Sequence, residues 1–329
     1  MIRYRVEPED FKVEEIPLYP PTGEGGHTFV RILKRLRTSD AIARQIAEVA
    51  GVPARDVGYA GRKDRVAVTT QWMSVPGLAP DEALTLELDG AEVLEAIPHP
   101  HKLRTGQLKG NLFELLLRGV DETSEESARA RLGEIEQRGM PNRFGAQRFG
   151  HGNRNPDKGR AILAGETSLR DRRKARFMIS ALQSQVFNRT LEERPLALDA
   201  VESGDVARVT ESGGLFLVED VQTDLERASR FEISATGPIF GTKMSEPSGE
   251  VALREARIME EFGIPLGSAL SVPRGLRVPG ARRPVRVRVG DPVLSREGDD
   301  LRFCFGLPSG SYATVLLEEL FPEIVEGRG

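Results

Sequence analysis

In residues 28–34 (TFVRILK), Phe29, Arg31 and Leu33 alternate with Val30 and Ile32, the two-residue period of a strand. Ile42, Ile46 and Val49 then form an apolar stripe at helical spacing. Thr38 or Ser39 can cap that helix, and Gly51 suits its end. Residues 66–75 (VAVTTQWMSV) are β-branched and alternating and predict another strand, and NLFELLLRG at 111–119 predicts a more deeply placed one. A charged helix is expected from Asp121 to about Arg138, and a long one over 174–194, where Phe177, Leu182, Val186 and Phe187 fall at helical spacing. Residues 148–157 (RFGHGNRNPD) read as a Gly/Asn-rich loop. The stretch 204–280 reads as irregular, broken by Gly213-Gly214, Gly237-Pro238, Pro247 and Pro273. Strand character returns in VRVRVGD after Pro284 and in LRFCF at 301–305, before a last helix from about Ala313 to Leu320. Strands at both ends of the chain with other material between them describe an α+β protein whose main domain is interrupted by an insertion.

Composition narrows the class. A length of 329 residues suits about two domains. The single cysteine, Cys304, excludes a disulfide framework and a thiolate-clustered zinc site. Mean hydropathy is −0.33. No apolar run approaches the ~18 residues of a membrane span, and MIRYRVEPEDF lacks a signal-peptide core. A soluble, cytoplasmic, monomeric protein is expected. The formal net charge of −4 speaks against a nucleic-acid partner, but the cations are unevenly placed. RDRRKAR at 170–176 holds five, and Arg274, Arg277, Arg282, Arg283, Arg286 and Arg288 follow later. Such clusters can track a phosphate backbone whatever the total charge; each can also be a solvated face.

Several chemistries lack their signatures. No GxGxxG, phosphate loop, GxSxG elbow or HExxH pattern is present, and of four histidines only His99 and His101 lie close, so no metal is expected. Two dense constellations remain. In GYAGRKDR at 58–65, Asp64 sits in a loop between Lys63 and Arg65, whose charges favour an ionised carboxylate. Such a group can act as a nucleophile or an electrostatic anchor, or simply belong to a charged turn. In PNRFGAQRFG at 141–150, two Phe-Gly pairs are interleaved with Asn, Gln and Arg. Aromatic faces can stack an extruded base while amides read its edge and arginines bind phosphate. Alternatively, Phe144 and Phe149 anchor a core.

Taken in order, RVEPEDFKVEEI, GYAGRKDRVAVTTQW, PNRFGAQRFG, ALQSQVFN and LPSGSYATVLLEEL closely resemble the TruD-type tRNA pseudouridine synthase family, over residues 5–320. The resemblance implies a cofactor-free isomerase that converts a uridine of tRNA, typically at position 13, to pseudouridine. It implies a pseudouridine synthase fold with a curved, mostly antiparallel sheet. The expected domains are 1–154 and 281–329 (catalytic) around a family-specific α+β insertion at 155–280. It makes Asp64 the nucleophile and places Arg5, Phe11, Glu15, Lys63, Asn142 and Phe144 at the substrate. Arg143 stands where members commonly have Tyr. By composition alone, Arg172, Arg173, Lys174, Arg282 and Arg283 are candidate contacts to the tRNA backbone. Two other readings stay open: a non-catalytic RNA-binding protein or chaperone that keeps the fold, and a glycosidase pairing Asp64 with Glu14 or Glu15.

Overall fold

A computed structural model describes residues 1–265 and 270–327. The chain divides into two compact units. The first is Met1–Leu132 with Val289–Ala313 and Leu317–Gly329, and the second is Gly133–Arg288 with Thr314–Leu316.

The first unit opens with strands β1 (Arg3–Tyr4), β2 (Phe11–Pro17) and β3 (His27–Arg35), then helix α1 (Ser39–Val49), and strands β4 (Gly58–Tyr59) and β5 (Val68–Pro76). Helix α2 (Pro80–Leu84), strands β6 (Ala91–His99) and β7 (Leu108–Leu117), and helix α3 (Glu122–Arg138) follow. The second unit holds β8 (Met140–Pro141), α4 (Arg154–Leu163), α5 (Arg172–Glu192), β9 (Val206–Val209), β10 (Leu215–Leu217), α6 (Val221–Ser229), β11 (Ile233–Ile239), α7 (Gly249–Glu261), β12 (Ala281–Pro284) and β13 (Arg286–Val287). The chain closes with β14 (Gly290–Glu297), β15 (Asp300–Pro308), α8 (Ala313–Leu320) and β16 (Val325–Glu326).

One large sheet organises the first unit in the order β14-β15-β7-β2-β5-β3-β6, with β4 added on β5. Its pairs are antiparallel except β2 with β5. Alternation along β3 puts Val30 and Ile32 on the face that packs with Ile42, Ala43, Ile46 and Ala47 of α1. Two charged residues share core positions by the same period: Lys34 on β3 and Glu15 on β2, each buried. Val49, the third member of the expected α1 stripe, instead faces solvent at 57% exposure, because the stripe ends one turn earlier.

In the second unit, β10-β9-β11-β12 form a sheet. The buried face of α5, including Met178, Ile179, Leu182 and Val186, packs with Phe240, Ile258 and Met259. The stretch 204–280, expected to be irregular, in fact contains β9–β11, α6 and α7; residues 266–269 of it lie outside the described residues. The strands and α6 are short and separated by Gly and Pro turns, so no long period marks them, while α7 has one in Val251, Glu255, Ile258 and Met259. The expected loop 148–157 is likewise partly helical: two 3-10 turns lead into α4, which begins at Arg154. The pairing of β8 with β13 ties residues 140–141 to 286–287. Residues 133–154 accordingly cluster with the second unit, and its boundaries fall at 132/133 and 288/289 rather than at 154/155 and 280/281.

Arg282 is a core residue and not a surface cation. Its guanidinium donates to both carboxylate oxygens of Glu255 at 2.7 Å each, and to the hydroxyl and carbonyl of Thr236 at 2.9 and 2.7 Å. Its side chain is 0% exposed, which removes it from any phosphate-binding surface. Truncating one member of a buried ion pair leaves an uncompensated charge, so Arg282→Ala is expected to destabilise the protein by about 3–5 kcal/mol. Chemical denaturation followed by circular dichroism checks this; a loss below about 1 kcal/mol would contradict the assignment.

Candidate active site

The loop between β4 and β5 carries Asp64, and hydrogen bonds from Ser39 and Lys34 fix its backbone. Thr38 caps α1, accepting from the Ala41 amide at 3.2 Å, and this leaves the Ser39 hydroxyl available. Ser39 accepts from the Lys63 backbone amide at 2.9 Å and donates to Oε1 of buried Gln71 at 2.6 Å. Lys34 reaches up from the core face of β3, and its ammonium donates to the backbone carbonyls of Asp64 and Arg37, both at 2.8 Å. At the foot of the loop, Gly58 lies so close to the Leu103 carbonyl that a Cβ would come within 2.2 Å of it, which explains the glycine that opens the motif.

The Asp64 carboxylate accepts from the Arg5 guanidinium in a tight ion pair. Arg5 has a φ of +55°, a left-handed conformation that L-residues adopt only when their surroundings impose it. Those surroundings are visible. The guanidinium carbon lies 3.8 Å from the centre of the Phe11 ring, a stacked cation–π contact. On the other side, β1 pairs in parallel with β16, which brings Glu326 to 2.9 Å from Arg5. The Gly327 amide donates to the Tyr4 carbonyl at 2.7 Å, and its bare Cα allows the close approach to Val6 that a Cβ would block. Burial, reinforced by the Glu326 charge, pushes the neighbouring Tyr4 hydroxyl up to about 12. Arg5 is nearly enclosed at 9% side-chain exposure, whereas Asp64 is one-third exposed and offers its carboxylate to solvent.

Lys63 points the other way. Its ammonium lies 2.7 Å from the Glu15 carboxylate and donates to the Asn111 amide oxygen at 2.7 Å. Glu15 and Asn111 are register partners across β2 and β7, so a single lysine ties the loop to two strands. Three of the expected substrate contacts are thus redefined by burial. Glu15 and Lys63 satisfy each other inside the protein, and Phe11 is covered by Arg5, so none presents a free face to a ligand. They position the loop and Arg5. Glu14, on the opposite face of β2, pairs with Arg31, and Glu15 with Lys63, so the glycosidase reading finds each of its candidate second carboxylates engaged by a cation.

In the second unit, Asn142 is buried and fully engaged. Its backbone amide donates to the Val285 carbonyl at 2.8 Å, and its side-chain amide donates to the Pro284 carbonyl at 2.9 Å. Arg283 donates to both its carbonyl and its side-chain oxygen. Asn142 therefore shapes the loop that carries Phe144. The Asn188 side chain holds that loop too, accepting from the Phe144 amide and donating to its carbonyl at 2.8 and 2.9 Å. The ring of Phe144 meets Phe187 edge-on, with centroids 5.6 Å apart, and is half-buried. Arg283 lies over it, 4.1 Å from guanidinium carbon to ring centre. This second role makes Arg283 a support of the aromatic loop instead of a free backbone contact. Arg172, Arg173 and Lys174 are exposed on the first turn of α5.

Lys34, Ser39, Gln71 and Glu326 were absent from the residues expected at the site. For Lys34 a sequence signal exists, because it occupies a core-facing position of an alternating strand. For Glu326 none does, since its partner lies 321 residues away.

Comparison with known proteins places this arrangement. The family described as tRNA pseudouridine synthase D (TruD) matches residues 2–169 and 167–320. The tRNA pseudouridine synthase D of Anaeromyxobacter dehalogenans is 44% identical over 324 residues, covering 96% of this chain and 92% of the relative. The protein of the same name from Thermus thermophilus is 42% identical over 324 residues, covering 96% and 87%. That of Geobacter sulfurreducens is 37% identical over 380 residues, covering 96% and 93%. A crystal structure of a Methanosarcina mazei protein described as a putative tRNA pseudouridine synthase D superposes with a TM-score of 0.76 at 22% identity, covering 99% of this chain and 94% of that one; it has the same α+β fold.

Burial lowers the Lys34 ammonium to about 8, against the opposing pull of Asp64 and with some help from Lys63. A lysine in the unfolded chain titrates near 10.4. Below about pH 8 both states hold the proton and the full burial cost applies. Between about pH 8 and 10.5 the unfolded state binds more protons, so stability contributed at this site rises with pH. Lys34→Met is expected to remove that rise, read as the difference between wild-type and variant unfolding free energies across the window. Parallel curves for the two proteins would contradict the shift.

Proposed function

The chain belongs to the tRNA pseudouridine synthase D family, and from that premise we propose that it isomerises uridine to pseudouridine in tRNA, at position 13, without a cofactor, using Asp64 as the nucleophile. The observation that carries the proposal is the state of Asp64. It is a partly exposed carboxylate paired with an enclosed guanidinium, on a loop whose backbone is held by Lys34 and Ser39. An adjacent guanidinium supplies a counter-charge to the carboxylate where a bound base strips it of water. Fixing its backbone limits the reorganisation needed to reach the reacting carbon.

In the reaction the bond between N1 of uracil and C1′ of ribose breaks, and a bond between C5 and C1′ forms. Asp64 attacks the nucleoside, at C1′ or at C6, and leaves at the end. The proton released from C5 is matched by the one gained at N1, so atoms and charge balance within an isomerisation. The target nucleotide must leave its stack at a cost of a few kcal/mol. The half-buried ring of Phe144, held by Asn188, Phe187 and Arg283, suits stacking of the freed uracil. Exposed Arg172, Arg173 and Lys174 suit contact with the tRNA phosphates. They sit in the first turn of α5, near the positive end of the helix dipole, where cations do not help the helix.

Incubation with unmodified tRNA and mapping of pseudouridine by carbodiimide-dependent primer extension tests the chemistry. Wild-type protein is expected to modify the tRNA, while Asp64→Asn and Asp64→Ala bind it normally and leave the uridine unchanged. Pseudouridine formed by Asp64→Ala would overturn the nucleophile assignment. Wild-type protein that binds the tRNA and forms no pseudouridine would instead bring back the reading as a non-catalytic RNA-binding protein.

Salt dependence tests the roles of the α5 cations. Taking one cation away from a bound phosphate lowers the slope of log affinity against log salt by about one. The double variant Arg172→Ala/Arg173→Ala is therefore expected to bind tRNA more weakly, with a slope shallower by about two. An unchanged slope would remove these residues from the interface.

A further inference from the structure

Phe177 is an exposed aromatic that neither the core nor the proposed chemistry uses. It is 43% exposed on α5, while Met178 and Ile179 beside it turn into the core. At helical spacing it shares a face with Arg173 one turn before it, and with Ser180 and Ser184 after it (positions i, i+4, i+7 and i+11). Arg148 lies along that face. Its guanidinium donates to the hydroxyls of Ser180 and Ser184 at 2.7 and 3.2 Å. The guanidinium carbon lies 5.2 Å from the centre of the Phe177 ring and 5.9 Å from that of Phe144.

Arg283, Phe144, Arg148 and Phe177 therefore form an alternating row of guanidinium planes and aromatic rings, and the row ends at an exposed ring beside exposed cations. Two serines fix Arg148 in place, so the row does not depend on a flexible side chain. Exposed aromatic rings within a basic surface are the physical signature of single-stranded nucleic-acid binding, since any base offers a face to stack and each phosphate finds a cation. An exposed phenylalanine among cations contributes little to folding, because its ring remains partly in water.

We propose that Phe177, backed by Arg148, is a second stacking subsite that takes an unpaired nucleotide next to the target uridine, with Arg173 contacting its phosphate. The inference rests on the reading of tRNA as substrate, but its test is binding, which does not require turnover. The ligand class is an unpaired RNA base of any identity, because stacking does not depend on hydrogen-bonding edges.

The experiment measures the affinity of the full-length protein for tRNA, for an unstructured RNA oligonucleotide and for an RNA duplex of equal length, with Phe177→Ala, Phe177→Leu and Phe177→Trp. Loss of a stacked base is expected to weaken tRNA and oligonucleotide binding about five- to 150-fold in the Ala and Leu variants. Duplex binding should be unchanged, and Trp should retain wild-type affinity. The salt slope should also stay unchanged, since no charge is removed. An exposed side chain leaves the melting temperature unaltered, so folding is controlled within the same set. Wild-type affinity of Phe177→Ala for the oligonucleotide, or an equal loss on the duplex, would overturn the subsite. If wild type makes no pseudouridine while Phe177→Ala still loses oligonucleotide binding, the catalytic reading fails and the subsite stands.

Discussion

The ion pair between Arg5 and Asp64 is the constraint around which the first unit is arranged. A guanidinium this enclosed must be compensated, and the chain compensates it three times: with the Asp64 carboxylate, with Glu326, and with the face of Phe11. Each partner comes from a different element. Arg5 follows β1, Phe11 begins β2, Asp64 lies before β5, and Glu326 lies in β16. The strained backbone of Arg5 is sustained because moving it would break all of these contacts together. The carboxylate is thus oriented by the start of β2 and by the separate β1–β16 pair, and not by its own loop alone.

Beneath the pair lies a polar layer where an ordinary sheet would be apolar. Lys34, Glu15, Gln71 and Ser39 occupy buried positions next to Val30, Ile32 and Met73. Buried polar groups are tolerated where they find partners: Lys34 and Ser39 bond loop backbone, Glu15 pairs with Lys63, and Gln71 accepts from Ser39. The arrangement converts the rigidity of strands into rigidity of a loop, since Lys34 grips a carbonyl of Asp64 and Ser39 an amide of Lys63. A loop held only by its own turn would leave the carboxylate free to swing. One held from a sheet cannot move without unburying charge.

Much of this was legible in the chain. The strands around residues 28–34, 66–75 and 111–119, the helix after Thr38 and the long α5 follow from periodicity because they are long and carry a consistent buried face. Asp64 stood out because of the cations beside it. What escaped was whatever depends on distant partners. Arg282 reads as one more cation of a basic cluster until Glu255 is seen opposite it on α7. Phe11 and Glu15 read as ligands because of their place in a recognisable segment, yet alternation alone puts both on the core face of β2. The strands and α6 between residues 204 and 239 are too short to show a period, and the order of the strands depends on pairing with β11; α7 does carry one, in Val251, Glu255, Ile258 and Met259, that the glycines and prolines around it obscured.

The net charge of −4 illustrates why a total is a poor guide to a partner. The arginines divide by burial into two populations with different physics. Arg5, Arg194, Arg282 and Arg286 are enclosed, and their terminal guanidinium nitrogens bond carboxylates and carbonyls, so they contribute to folding and add little to the surface field. Arg172, Arg173, Lys174 and Arg176 are exposed at the helix end where the backbone already presents positive charge. There Asp171 caps the helix, accepting from the amides of Arg173 and Lys174, and its carboxylate is favoured by those two cations, while the helix dipole itself opposes all four. A phosphate backbone is the polyanion that would hold several of them in a row.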